Sequence, residues 1–177
     1  APAFESIVAG GPRGALPHAR PSERPLQAGD LVVLDFGARL SGYHSDCTRT
    51  VALAPVADWQ RDLHALVGAA QAAGIAALTP GAKGVAVDAA ARAVIDDAGH
   101  GEHYPHGLGH GVGLEVHEAP GLGPSAAGRL PSRAVVTVEP GVYLPGRGGV
   151  RTEDLLVVTG AGPELLTTSP RELLVLG

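Results

Sequence analysis

Glycine occupies every second position from Gly107 to Gly113. Nothing else in the chain limits its local structure so tightly. Each glycine in a helix interior costs about 1 kcal/mol relative to alanine, so this run is not helical. Alternating glycines suit an extended segment that another piece of backbone approaches closely. Between and beside them stand His106, His110 and His117, three histidines within twelve positions. His106 and His110 have the spacing of a helical zinc pair. The glycines remove the helix, however, and the glutamate of a His-Glu-x-x-His motif is missing. A single histidine here would ordinarily be a satisfied core residue; three together point to metal or acid–base chemistry.

The carboxylates extend that reading. Asp35 lies inside the apolar run Leu31-Val32-Val33-Leu34-Asp35-Phe36-Gly37. A buried carboxylate there needs an arginine partner or a cation. Asp46 follows eleven residues later, past the turn signal Ser41-Gly42-Tyr43. In a hairpin the two acids would come near each other, and would repel unless a cation lay between them. The triplet Asp35-Phe36-Gly37 also occurs in kinases, but no His-Arg-Asp catalytic loop or phosphate-binding glycine loop accompanies it. Glu139 ends a run of β-branched residues just before Pro140, and Glu153 opens another apolar run. Singly, each would read as a rim charge. With His110 they form an oxygen-rich, borderline-hard set that suits Mn²⁺, Co²⁺ or Zn²⁺. Four carboxylates can hold two divalent ions about 3.5–4 Å apart. Spacing by itself leaves their convergence open.

Around these residues the pattern is mixed. Strands are expected at Phe4–Ala9, Leu31–Gly37 and Ser45–Leu53. Two longer ones are expected at Ala134–Leu144 and Val150–Thr159, joined by the turn Pro145–Gly149, with a last one at Glu172–Leu176. Helices are expected at Val56–Leu78, stopped by Thr79-Pro80-Gly81, and at Val85–Ala98, stopped by Gly99. Neighbouring strand pairs imply an α+β fold with antiparallel pairing. With 45% hydrophobic and 18% charged residues, the 177-residue chain has the composition of one globular domain. A net charge of −5 gives no nucleic-acid footprint. The Ala- and Gly-rich stretch Ala65–Ala82 is weak as a membrane span. One cysteine, Cys47, excludes a disulfide framework and fits a reducing, cytoplasmic setting.

Four segments, in order, carry a resemblance: IVAGGPRGALPHARP, LVVLDFGARLSGYHSDCTRTV, HGLGHGVGLEVHEAPGL and VVTVEPGVYLPGRGGVRTEDLLVV. Together they resemble the creatinase/aminopeptidase, or pita-bread, metallopeptidases, specifically the Xaa-Pro aminopeptidase and prolidase branch. The resemblance implies a curved, mainly antiparallel sheet backed by helices. It also implies that residues 1–177 are a catalytic domain lacking the first helices of the full domain, and so incomplete on its N-terminal side. By the same resemblance Asp35, Asp46, His110, Glu139 and Glu153 would hold two divalent ions, Mn²⁺ first and Co²⁺ or Zn²⁺ as alternatives, with Asp46 and Glu153 bridging. Glu139 would move the water's proton, His117 would face the reacting carbonyl and His18 the leaving side. His106 and Arg151, with His18, would contact the proline-containing peptide. A homodimer is implied too.

Two other classes compete. One is a non-catalytic binding protein of the same fold; the other is a methionine aminopeptidase-like or metal-free amidinohydrolase-like enzyme. Five filled ligand positions argue against the non-catalytic and metal-free readings. Among the remaining residues, Thr48 and Arg49 are expected to support Asp46. Cys47 is expected to point away from the ligand face, and Trp59 to lie in the core. Three of His44, His64, His100 and His103 are expected at the surface.

Overall fold

The computed structural model describes residues 1–177. The first half contains β1 (Ile7–Gly10), β2 (Leu31–Phe36), β3 (Arg39–Leu40), β4 (Tyr43–His44) and β5 (Cys47–Leu53). Two helices follow, α1 (Asp58–Ala76) and α2 (Gly84–Asp97). The second half contains β6 (Gly109–Gly111), β7 (Glu118–Leu122), β8 (Val135–Val138) and β9 (Gly141–Leu144). It continues with β10 (Gly148–Arg151), β11 (Asp154–Val157), β12 (Glu164–Leu165) and β13 (Val175–Leu176).

Two sheets carry the architecture, ordered β1-β2-β5-β13 and β12-β11-β8-β6-β7. Pairing is antiparallel except where β13 lies parallel to β5. The small ribbons β3–β4 and β9–β10 complete the set. The α+β expectation therefore holds, and the helices start and stop within two residues of their expected bounds.

Helix α1 turns Leu63, Val67, Ala70 and Gly74 inward, an i, i+4 stripe. Its first turn is closed by Gln60, whose Oε1 accepts the Ala57 N–H at 2.9 Å and whose Nε2 donates to the Gly29 carbonyl at 2.7 Å. Helix α2 buries Val87, Asp88, Ala91 and Ile95. It ends at Gly99, whose φ of +78° suits a residue without a Cβ. One apolar core joins these faces to Leu108, Val136, Val138, Val142 and Leu156 on the strands. No helix is long and apolar enough to cross a membrane.

The glycine run behaves as its alternation requires. A Cβ on Gly109 would lie 2.1 Å from the Thr137 carbonyl oxygen, and one on Gly111 2.4 Å from that of Ala119. Strand β6 is thus wedged between β7 and β8.

The two long strands expected in the second half are each broken in two. Val135–Val138 pairs with β11 in the five-stranded sheet, whereas Gly141–Leu144 pairs with β10 in a separate ribbon. Pro140 offers no N–H to a ladder and follows Glu139 at the first break. Thr152 and Glu153 form the second break, where the Glu153 N–H leaves the hairpin and donates to the Thr48 carbonyl at 3.0 Å. The hairpin therefore bends at Glu139 and Glu153.

Candidate active site

Each acidic or imidazole side chain arrives at one cavity from a different element. Asp35 sits near the end of β2, opposite Thr48 of β5. Asp46 immediately precedes β5, and His110 is the middle residue of β6. Glu139 and Glu153 come from the two bends. Their nearest atoms fall into three overlapping groups: Asp35, Asp46 and Glu153; His110, Glu139 and Glu153; and Asp46, His110 and His117. Within each group the candidate ligand atoms lie within 4.8 Å of one another. His110 Nε2 stands 3.2 Å from Glu139 Oε1 and 3.8 Å from Asp46 Oδ2. His117, expected on the substrate side, is thus also within ligand range, its ring 4.3 Å from that of His110. A cavity of about 300 Å³ collects these residues with His18, His106 and Arg151, walled on its apolar side by Phe4, Ile7 and Val116.

Three carboxylate oxygens in this cluster, Asp35 Oδ1, Asp46 Oδ1 and Glu153 Oε1, are buried and have no hydrogen-bond partner. Unpaired buried acceptors of like charge are costly. Divalent cations would satisfy all three, so the donor set fits the ions that the sequence implies.

The electrostatics follow from crowding. Burial, then the Asp35 and Glu139 charges, pushes the Asp46 carboxyl up to about 7. Burial, then the Glu139 and Asp46 charges, raises Glu153 well above the ordinary range. Burial also raises Asp35, outweighing the opposing charge of Arg151. Glu139 goes the other way: burial opposes its charge, but the His110 hydrogen bond and the neighbouring His106, His110 and Arg151 hold it below its ordinary value. Burial works against a charged His110 as well, yet its bond to Glu139 leaves it raised. Burial, then the His110 charge, lowers His117.

Arg151 is placed differently from a free substrate anchor. It is 3% exposed, and every guanidinium nitrogen is engaged. Nη2 donates to Asp35 Oδ2 at 2.5 Å and Nε to Thr48 Oγ1 at 3.1 Å. Nη1 donates to the Pro17 carbonyl at 3.0 Å and to the Tyr143 hydroxyl at 2.9 Å. Asp35 thus has an arginine partner on one oxygen and keeps the other unpaired. His106 is likewise committed. Its Nδ1 donates to the Gly107 carbonyl at 2.8 Å, so its Nε2 accepts the Tyr143 O–H at 2.8 Å. Burial, which lowers the ring's pKa, agrees with this neutral form.

Other expectations need correction. Thr48 and Arg49 serve Glu153 and Asp154 more directly than Asp46. Thr48 Oγ1 donates to Glu153 Oε2 at 2.6 Å. Arg49 donates to the Glu153 carbonyl and to Asp154 Oδ1, both at 2.6 Å. The cause is the second bend, which lays Thr152–Asp154 across β5. His44, His64, His100 and His103 are all half-buried rather than three being at the surface. Packing accounts for two pairs of contacts: His44 Nδ1 meets the Gly113 carbonyl at 3.3 Å, and the His100 and His103 rings lie 5.9 Å apart. Cys47 is half-buried and outside the candidate ligand groups. Trp59 packs against the core edge under the Arg147 guanidinium.

Sequence reading passed over Tyr143 and Gln71. Tyr143 had a signal, since it closes the string Val138-Glu139-Pro140-Gly141-Val142-Tyr143. Gln71, 1% exposed on α1, donates through Nε2 to Val138 O at 3.2 Å, Thr152 O at 3.3 Å and Asp154 Oδ2 at 2.9 Å. It ties both bends to the helix. A polar residue beside an apolar helical stripe was its only signal.

A curved, helix-backed antiparallel framework with a carboxylate-and-imidazole centre at its strand bends defines a pita-bread peptidase fold. Solved structures agree: a Xaa-Pro dipeptidase from Bacillus anthracis matches with a TM-score of 0.97 and 46% identity, covering 99% of this chain and 50% of that one. An X-Pro aminopeptidase from Thermotoga maritima matches with a TM-score of 0.96 and 42% identity, covering 99% and 49%. A Xaa-Pro dipeptidase of Pyrococcus furiosus is 43% identical over 173 residues, 98% of this chain and 50% of the relative. The model of metallopeptidase family M24 matches residues 1–160, and the chain belongs to that family. It spans about half the length of the relatives it matches.

Proposed function

We propose that this chain supplies the catalytic centre of a metal-dependent hydrolase that cleaves the Xaa-Pro bond of dipeptides or at the N-terminus of longer peptides. The observation that carries the proposal is the convergence of four carboxylates and His110, with three buried oxygens left unpaired, on a cavity with an apolar wall. Asp35, Asp46, His110, Glu139 and Glu153 would hold two divalent ions, Mn²⁺ in preference to Co²⁺ or Zn²⁺ because the donors are mostly hard oxygens. When bound, such ions polarise a carbonyl and make water a nucleophile near neutral pH.

The chain's own residues would do the rest. Glu139, kept ionised by His110, accepts a proton from the attacking water and returns it to the leaving proline nitrogen. His117, more exposed than the buried acids, donates a hydrogen bond to the carbonyl oxygen as its charge grows. His18 faces the leaving side. His106 and Arg151 shape the proline side chiefly through the rigid Gly107–His106–Tyr143–Arg151 chain, since the imidazole N–H and four of the five guanidinium N–H groups are already engaged. Proline nitrogen in a peptide has no N–H, so ring shape against Phe4, Ile7 and Val116 must carry recognition. The surrounding acids favour a free α-amino group on the other side.

The relatives named Xaa-Pro dipeptidase support the smaller substrates, and the X-Pro aminopeptidase supports longer ones. A homodimer in the cytoplasm completes the reading. The exposed Leu40, Tyr43 and Leu114 offer apolar surface to a second copy, and the lone thiol fits a reducing compartment.

Metal quantification paired with turnover tests it. About two ions per chain, with hydrolysis of Ala-Pro and of longer Xaa-Pro peptides that stops on chelation and returns with Mn²⁺, is expected. Hydrolysis unchanged after verified ion removal would overturn the reading. Met-Ala cleaved in preference to Ala-Pro would move it to the methionine branch.

A further inference from the structure

Helix α2 carries an ion pair, buried on its acid side and half-buried on its arginine side, that the mechanism above does not use. Asp88, 1% exposed, and Arg92 sit one turn apart and meet in a two-pronged contact, Nε to Oδ2 at 2.8 Å and Nη2 to Oδ1 at 3.0 Å. A partly buried pair of this kind contributes little net stability. What it holds is more telling.

Arg92 spends two further donors on the backbone flanking His106. Nη1 donates to the Tyr104 carbonyl at 3.0 Å and Nη2 to the His106 carbonyl at 2.8 Å. Its guanidinium also lies 4.2 Å from the centre of the Tyr104 ring. Asp88 Oδ1 accepts the Leu108 N–H at 3.0 Å. The Leu108 carbonyl in turn accepts the Glu139 N–H at 2.7 Å. One pair on a helix therefore grips three backbone groups around His106 and, through the single residue Leu108, the bend that presents Glu139. Gly107 lies inside the gripped stretch and has no side chain to stiffen it, so the fixed geometry must come from outside.

We propose that Asp88 and Arg92 are positioning residues for the hydrolytic site, clamping the Tyr104–Leu108 segment so that His106 and Glu139 hold their places in the cavity. This rests on the hydrolase reading for its consequence in turnover, but not for the clamp itself. The planar fork of arginine is essential to it. Lysine keeps the charge but cannot serve the carboxylate and two carbonyls together.

The test compares R92K with wild type and with R61K, a change at an exposed arginine on α1. Amide hydrogen exchange is measured by NMR on the ion-free chain without substrate. Exchange at Leu108 and Glu139 should be at least tenfold faster in R92K, while amides of β2 keep wild-type rates and R61K changes nothing. Equal acceleration at β2, or no acceleration at Leu108 and Glu139, would overturn the clamp. With Mn²⁺ and Ala-Pro, kcat for R92K should fall about tenfold at unchanged ion content. Wild-type kcat in a variant whose two amides are loosened would show that the clamp does not serve the chemistry. If wild type itself cleaves nothing, the hydrolase reading fails while the exchange result still decides the clamp.

Discussion

Stripping divalent ions from this protein should make it prefer mild acid. In the ion-free chain the Asp46 carboxyl sits at about 7, raised by burial and then by the Asp35 and Glu139 charges, against an ordinary value of 3.8. The unfolded chain loses this proton near the lower value and the folded chain near the higher one. Between them the folded state binds more protons, so the free energy of unfolding falls as pH rises. Roughly three units at about 1.4 kcal/mol each give about 4 kcal/mol from Asp46 alone, of which about 3 kcal/mol falls between about pH 5 and pH 8. Asp35 and Glu153 are raised as well and act in the same direction. Glu139 is lowered, but what it stabilises is lost only as pH falls below its ordinary 4.5, outside this window. His110 is raised from 6.5, so its contribution is also lost as pH climbs, whereas the burial-lowered His64, His106 and His117 oppose the trend, but only below their ordinary 6.5. Whole domains are stable by only about 5–15 kcal/mol, so the change is large. Urea denaturation of chelator-treated protein at several pH values reads it directly. Adding Mn²⁺ should reverse the trend, because ions bind the ionised carboxylates. Ion-free stability that stays flat or rises between about pH 6.5 and pH 8, where the lowered histidines no longer oppose the trend, would refute the reasoning, since it would mean that these acids ionise as freely folded as unfolded.

Two further outcomes test single groups. Glu139→Gln keeps the size of the side chain but removes its charge, so turnover should fall about 10²–10⁴-fold with the fold intact by circular dichroism; near-wild-type turnover with ions bound would end its assigned role. Thr48→Val removes the fully buried hydroxyl between Glu153 and Arg151. That should lower stability by about 2–3 kcal/mol and weaken Mn²⁺ binding about 10–100-fold in a calorimetric titration. Unchanged values would mean that the hydroxyl does not hold Glu153.

Much of this was legible because the informative residues break local rules. Asp35 violates an apolar strand, and the glycines of β6 make sense only under close backbone contact. Both marks survive in one dimension. The bends at Glu139 and Glu153 were harder to see. Val135–Leu144 is apolar and β-prone on both sides of Pro140, and only pairing partners distant in sequence show that the chain changes sheets there. The roles of Arg151 and Thr48 were hidden for a similar reason. A buried arginine and a buried hydroxyl look ordinary in sequence, and what they touch is decided by a crossing of β5 with a segment about one hundred residues away. Gln71 and the Asp88–Arg92 pair lie on helical faces where a polar residue is usually solvated, so nothing local set them apart.

The bent hairpin also bears on how the protein comes apart. Asp35 lies on β2 and Asp46 just before β5, His110 lies on β6, and the two bends join the five-stranded sheet to the β9–β10 ribbon, so no short stretch of chain contains the site. Contacts of such long separation form late on the folding path. An interaction absent from the transition state leaves the folding rate nearly untouched and acts on the unfolding rate. Ions seated between the sheets would therefore work as a brake on escape from the native state, lengthening the lifetime of the folded protein without hastening its birth.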